Sequence, residues 1–194
     1  KSGDYSIPNT VTTICAGAFR RCNKLTSIAI PDSVTSIGDE AFDSCFSLRS
    51  ITIPNSVVSI GSGAFLFCKQ LKSIEIPNSV KEIGEYAFSY CRRLKSITIP
   101  GGVETLGANL FDECKKLSEI TVTGEGENIR MVDGVLFSGD MTRLICCLRK
   151  KSGSYEIPST VKTMDNDAFR LCEKLTSVTI PDSITEIPSD TFYE

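Results

Sequence analysis

The stretch IGDEAFDSCFSLRSITIPNSVVSIGSGAFLFC, residues 37–68, contains one pattern twice. Its Ile-Gly, Ala-Phe and Cys positions all return after 23 residues. Cysteines keep this interval over five successive units, at Cys22, Cys45, Cys68, Cys91 and Cys114. A regular repeat of this length predicts a solenoid, in which every unit forms one coil and buries its apolar face against its neighbours.

One unit also predicts its own local structure. Residues 74–76 alternate apolar and polar side chains, which is typical of a short strand with one buried face. Pro77 ends the strand, because proline has no amide hydrogen to donate to a neighbouring strand. Farther along, Gly84 permits a bend, and the spacing of Ala87 and Cys91 favours one or two helical or 3-10 turns on the opposite side.

The repeat is interrupted once. Ile-Pro pairs mark the coils from Ile7-Pro8 to Ile180-Pro181, but 35 residues, twelve more than one unit, separate Val122 from Ile157. Two apolar runs, 135–137 and 144–146, flank Ser138-Gly139-Asp140 in this segment and predict a β-hairpin. We therefore expect one domain over residues 1–194, with regular units to about 122, a hairpin-containing unit at about 123–157 and regular units over 158–194.

Composition excludes several classes of function. The chain of 194 residues has no histidine, so Ser-His-Asp and Cys-His catalysis and the commonest zinc sites are unavailable to it. Its net charge of −3 gives no general attraction to nucleic acid. No apolar run is long enough to span a bilayer, and the first residues show no signal-peptide pattern. We predict neither catalytic residues nor cofactors, and no membrane insertion.

The order I-P-x-S-V-x-x-I-G-x-x-A-F-x-x-C resembles the BspA-like class of bacterial leucine-rich repeats, and the resemblance covers essentially the whole chain. It implies a right-handed leucine-rich-repeat solenoid with short parallel strands on one face. It also implies a non-enzymatic protein, secreted or displayed on the cell surface, that binds host matrix or other cells. Departures from the pattern are local: Leu110-Phe111 replaces Ala-Phe, Met164-Asp165 replaces Ile-Gly, and Cys15 stands at a usual glycine.

The cysteines and one glycine-rich stretch are the remaining candidates for chemistry. A 23-residue spacing stacks the five cysteines in parallel, which suits packing and not disulfide or zinc geometry. For the adjacent Cys146 and Cys147, packing and a reactive thiol both stay open. Residues 123–128, TGEGEN, are typical of a loop, although calcium binding through Glu125, Glu127 and Asp133 is conceivable. We predict no metal site.

Charged residues follow the repeat. Basic residues concentrate between the Ala-Phe pair and the strand, and acidic residues such as Glu82 and Glu104 concentrate on the Val-x-x-Ile-Gly side. Such a pattern favours either a solvated edge that maintains solubility or a site for an anionic partner. The candidate partner-binding residues are the border residues Arg49, Lys72 and Lys95 and the strand residues Thr52, Glu75 and Thr98.

The sequence thus predicts an interaction or adhesion module that binds a protein or glycan partner through its repeat surface, with no nucleic-acid role. We expect it to be part of a longer array, because neither end carries a polar capping unit. The alternative is a recognition or spacer segment within a larger enzyme or structural protein. The sequence does not identify the ligand or the oligomeric state.

Overall fold

The protein is described here by a computed structural model that covers residues 2–124 and 128–193. Most regular coils contribute one longer strand and one strand of two residues. The longer strands are β1 (Ser2–Ser6), β3 (Lys24–Ala29), β5 (Ser50–Thr52), β7 (Ser73–Glu75), β9 (Ser96–Pro100), β11 (Glu119–Thr123), β15 (Gly153–Glu156) and β17 (Leu175–Thr179). The two-residue strands are β2 (Thr13–Ile14), β4 (Ser36–Ile37), β6 (Ser59–Ile60), β8 (Glu82–Ile83), β10 (Thr105–Leu106) and β16 (Thr163–Met164). Three further strands form the interruption: β12 (Ile129–Val132), β13 (Val135–Ser138) and β14 (Arg143–Cys147).

Successive coils pair in parallel and in register, so each residue stacks on its counterpart 23 positions later. Ile28 lies opposite Ile51, and Ser36 lies opposite Ser59. The two-residue strands form one continuous ladder from β2 to β10. The longer strands form the ladders β1-β3-β5 and β7-β9-β11, while β5 and β7 are neighbours without ladder pairing. This arrangement confirms the predicted parallel-strand solenoid.

The segment that carries the Ala-Phe pair differs from the expected helical turns. Within the described residues there is no helix, and the amides of this segment alternate between two kinds of acceptor. Phe42 N–H donates to Ala64 O of the next coil at 2.8 Å, whereas Asp43 N–H donates to Glu40 O at 2.9 Å. Glu40 and Ser44 have positive φ, which interrupts any helical run. The expectation of helical turns is thus corrected: single turns stack through cross-coil hydrogen bonds, and we call this stack the turn row.

Aromatic rings and thiols fill the interior beneath the turn row. The Phe42 and Phe65 rings stack at 5.3 Å, Phe65 and Phe88 stack at 5.6 Å, and all three are fully buried. Each column thiol donates to a phenylalanine carbonyl of the preceding coil, as Cys68 does to Phe42 O at 3.3 Å. Cys45, Cys68, Cys91 and Cys114 are at most 1% exposed, which supports the packing interpretation. Cys22 is only partly buried, so the expected column begins one coil later.

The interruption forms a partition across the interior. Antiparallel pairing of β13 with β14 confirms the predicted hairpin, and β12 adds a third strand on the other edge of β13. Side chains on one side of the partition, such as Leu136 and Ile145, pack into the core of the first section. Side chains on the other side, such as Phe137 and Leu144, pack into a separate second core. The array therefore has two sections, residues 2–123 and 153–193, and we call the partitioned boundary between them the seam.

Two arginines connect the sections where the regular backbone pairing stops. In the regular coils a glycine amide donates to the isoleucine carbonyl one coil earlier, as Gly84 does to Ile60 O at 2.8 Å. At the seam the Arg143 guanidinium supplies this donor instead, at 2.9 Å from Leu106 O, while it also binds both carboxylate oxygens of Asp165 at 2.6 and 2.7 Å.

Arg170 makes the equivalent connection along the turn row. Its guanidinium contacts Asp112 and Glu113 of the first section and Asp167 of the second, at 2.8–3.0 Å. Because these four side chains are 11–16% exposed, their interactions are only weakly screened by solvent. Side-chain ion pairs thus replace the missing cross-coil hydrogen bonds.

Successive coils approach each other closely at the glycines of the bend, so a methyl group added there should destabilise the protein. A Cβ on Gly84 would lie 2.7 Å from Ser62 Cα, whereas a Cβ on Gly102 meets no atom closer than Lys81 Nζ at 3.8 Å. We expect Gly84→Ala to destabilise the protein by about 1–3 kcal/mol in urea unfolding, because the coils must separate. Gly102→Ala is the matched control and should be neutral or slightly stabilising. Equal effects of the two substitutions would contradict the packing described here.

The Arg143 connection predicts a second stability difference. Arg143→Met should lower the free energy of unfolding by about 2–3 kcal/mol, because it leaves Asp165, which is 7% exposed, without its partner. Arg143 itself is 31% exposed, so the loss is smaller than for a fully buried pair. The double variant Arg143→Met/Asp165→Asn should lose less stability than Arg143→Met, since no buried charge remains without a partner. Lys81→Met, which removes the exposed pair with Glu104, should cost well under about 1 kcal/mol. Urea unfolding midpoints would compare the three, and a loss for Lys81→Met as large as for Arg143→Met would refute the seam assignment.

Candidate interaction surface

The outward side chains of the longer strands form a flat polar surface, which we call the strand face. Along β5, exposed Ser50 and Thr52 flank the buried Ile51. Glu75 takes the position of Thr52 in the next coil and is also exposed, whereas Thr98 in the coil after that is partly buried. The predicted alternation is therefore observed, and it places Thr52, Glu75 and Thr98 side by side on three successive coils.

A column of cations borders the strand face. Arg49, Lys72 and Lys95 are exposed and occupy equivalent positions of three successive coils. Lys95 N–H donates to Lys72 O at 2.8 Å, and Arg49 N–H donates to Thr26 O at 3.0 Å, so the backbone holds the column in register. None of the three forms a salt bridge with any residue the structure describes. We call these three residues the basic border.

A shallow groove runs beside the basic border, where β5 and β7 lie together without ladder pairing. Hydroxyl, amide and carboxylate groups line it, from residues Asp32, Ser50, Thr52, Asn55, Ser73, Glu75, Asn78 and Thr123. Thr123 Oγ1 lies 3.5 Å from Asn78 Oδ1, although their positions in the chain are two coils apart. These groups offer hydrogen-bond donors and acceptors but no large apolar anchor to a partner.

Basic residues on the turn row behave differently from the basic border. Arg20 forms salt bridges with Glu40 at 2.7 Å and Asp43 at 3.0 Å, both in the next coil. Arg92 and Lys115 lie 3.6 and 3.3 Å from Glu113. The basic and acidic residues predicted to form separate ridges are thus partly interleaved, and much of the positive charge on the turn row is neutralised locally.

The turn row also carries an aromatic group that sequence reasoning missed. Phe67 and Tyr90 have ring centroids 4.5 Å apart, and Lys69 Nζ lies 4.4 Å from the centroid of Phe46, whose side chain is 37% exposed. The signal was available, because these aromatic residues occupy variable positions of the repeat instead of its conserved apolar ones.

Cys146 and Cys147 lie on opposite sides of the partition. Cys146 packs against the first core and is partly exposed, whereas Cys147 belongs to the second core and is buried. Burial raises the pKa of Cys146 to about 12, which disfavours its thiolate at neutral pH. Cys15, which could not be placed from the sequence, is exposed.

The described residues do not support the calcium alternative. Glu125 and Glu127 lie outside the residues that the structure describes, and the Asp133 carboxylate accepts a hydrogen bond from Lys151 Nζ at 2.6 Å. Over residues 2–124 and 128–193, no group of three or more His, Cys, Asp or Glu residues is arranged to hold a metal ion. Within the same ranges no helix is long and apolar enough to cross a membrane.

The repeat pattern can be compared with known families. Residues 3–133 and 146–194 match the family model of the BspA type leucine rich repeat region, in six copies. The chain belongs to the BspA-type leucine-rich repeat family. The gap in the match, residues 134–145, covers all of β13 and the first three residues of β14, where the regular coil is replaced by the partition.

Solved structures share this architecture. The chain is similar to the pneumococcal vaccine antigen PcpA, with a TM-score of 0.75 and 25% identity over 94% of this chain and 62% of that one. A leucine-rich repeat protein from Bacteroides ovatus gives a TM-score of 0.71 and 34% identity over 98% of this chain and 46% of that one. A leucine rich cell surface protein from Faecalibacterium prausnitzii gives a TM-score of 0.56 and 26% identity over 97% of this chain and 72% of that one.

The chain thus spans about three fifths of the length of the pneumococcal antigen and less than half of that of the Bacteroides protein. No curated protein matches it at a significant level. Leucine-rich repeat proteins of this family are typically non-enzymatic interaction modules.

Proposed function

We propose that this chain is a non-enzymatic adhesion module of a bacterial surface or secreted protein, and that it binds a linear anionic glycan along its basic border. The observation that supports this proposal most directly is the column of Arg49, Lys72 and Lys95, which forms no salt bridge with any residue that the structure describes. On the turn row, basic side chains such as Arg20 and Arg92 have carboxylate partners in the next coil. Cations without partners at successive coils are available to an external anion.

The geometry favours a linear polymer as the partner. Successive coils repeat at about 4.8 Å, so the basic border presents cations in a straight, evenly spaced column. The adjacent groove adds hydroxyl and amide groups, such as those of Thr52 and Asn78, that can hydrogen-bond to sugar hydroxyls. A surface without large aromatic anchors gives weak contacts at each coil, and binding strength then comes from the number of coils that engage together.

The proposed location follows from the named relatives. One structural neighbour is a vaccine antigen and another is named as a cell surface protein. We extend that location to this chain, and we propose that residues 1–194 act as one domain, because Arg143 and Arg170 connect the two sections across the seam.

Heparin chromatography tests the proposed glycan site. The variant Arg49→Glu/Lys72→Glu/Lys95→Glu should elute at much lower salt than wild type, because it reverses the charge of the whole basic border. The matched control is Lys24→Glu/Arg93→Glu/Lys116→Glu, which makes the same change in net charge at three other exposed residues without a salt bridge to any described residue. It should elute close to wild type.

Two results would contradict the proposal. If both triple variants lose retention equally, net charge alone governs binding. If wild type is not retained at low salt, the basic border serves only solubility. Circular dichroism of all three proteins would verify that the fold is retained.

A further inference from the structure

We infer that Cys147 and Cys172 form a redox-active thiol pair that closes into a disulfide when the protein meets an oxidised low-molecular-weight thiol. The pair lies in the core of the second section, between the partition and the coil that follows it. Both cysteines are free in this structure, with Cys147 4% and Cys172 9% exposed. The inference is independent of the glycan site on the strand face.

The pair exists because Cys147 occupies a position that is phenylalanine in the regular coils. Cys147 N–H donates to Ala168 O at 2.7 Å, as Phe42 N–H donates to Ala64 O at 2.8 Å. Likewise, the Cys172 thiol contacts the Cys147 carbonyl oxygen at 3.7 Å, as the Cys68 thiol contacts that of Phe42 at 3.3 Å. A thiol therefore stands where the regular coil places a phenyl ring, and it meets the column cysteine of the next coil.

The Cys172 thiol lies directly against residue 147, with its sulfur 3.7 Å from the Cys147 carbonyl oxygen. A side-chain hydrogen bond from the Cys147 thiol lowers the pKa of Cys172, an effect that burial opposes and that the nearby Arg149 guanidinium reinforces. The same hydrogen bond and burial raise the pKa of Cys147. Thiolates and not thiols attack disulfides, so these directions favour Cys172 as the attacking group and Cys147 as the thiol that resolves the mixed disulfide.

The column cysteines provide the contrast within the same molecule. Cys68, Cys91 and Cys114 are 0–1% exposed, and burial raises the pKa of each well above its ordinary value. Each donates to a phenylalanine carbonyl instead of meeting another thiol. Their stacked side chains point the same way, which is poor geometry for a disulfide.

The reaction is a thiol–disulfide exchange. The Cys172 thiolate attacks one sulfur of oxidised glutathione, forms a mixed disulfide and releases one glutathione thiolate. Cys147 then loses its proton, attacks the Cys172 sulfur and releases the second glutathione thiolate. The two protein thiols are oxidised by two electrons, and the glutathione disulfide is reduced to two thiols. The new bond joins β14 covalently to the first coil of the second section.

Mass spectrometry after titration with oxidised glutathione tests the pair in the full chain. The background variant Cys15→Ser removes the exposed cysteine and prevents intermolecular crosslinks. We expect the intact chain to lose two alkylatable thiols and the mass of two hydrogen atoms, and peptide mapping should find one Cys147–Cys172 link. Oxidation should also raise the melting temperature, because the link restricts the unfolded chain.

Two variants separate this pair from the other thiols. Cys172→Ser should abolish formation of the internal disulfide, whereas Cys91→Ser, the matched control in the column, should leave it unchanged. The inference is overturned if wild type forms no internal disulfide under conditions that oxidise dithiothreitol, or if the link joins Cys146 instead of Cys147. Peptide mapping is done on chains that retain both Cys147 and Cys172. A variant that fails to fold therefore does not change the result of the mapping.

Discussion

Backbone hydrogen bonds between residues one repeat apart hold this protein together. They occur in three rows: the longer strands, the two-residue strands and the turn row. Because the repeat length is constant, the same side chain falls at the same place in each coil, and rings such as Phe42 and Phe65 stack directly. A single coil cannot offset the conformational entropy of its residues, so stability comes from the interfaces between coils.

The seam shows what happens when this constraint is lifted. Between the two sections β13 and β14 cross the interior, and side chains take over the role of the backbone. Arg143 supplies the donor that a glycine amide supplies elsewhere, and Arg170 joins three carboxylates from both sections. Outside the seam the repeat leaves its surface side chains free to vary, which is why a column such as the basic border can be built without altering the core.

Much of this structure could be predicted from the sequence, because the apolar pattern and the interval between cysteines determine the coil. The strand at residues 73–75, its end at Pro77 and the buried column from Cys45 onward all follow from that pattern. The expected helical or 3-10 turns are not observed in the described residues, since periodicity does not reveal that Phe42 N–H donates to the next coil. Strand β12 was missed although Asp133-Gly134, with φ of 48° and 80°, is a strong hairpin signal. The contacts of Arg143 with Leu106 and of Arg170 with Asp112 join residues 37 and 58 positions apart, and one sequence gives no local signal for such pairs.

Native-state hydrogen exchange tests the dependence on cross-coil hydrogen bonds most directly. The amides of Phe42, Phe65 and Phe88 in the turn row donate to the next coil, and Ile51 and Ile97 lie in longer strands that pair with a neighbouring coil. If the rows form one cooperative unit, these turn amides should open with the same free energy as the strand amides of Ile51 and Ile97. Exchange of the turn amides by local opening, while the strand amides stay protected, would contradict the account.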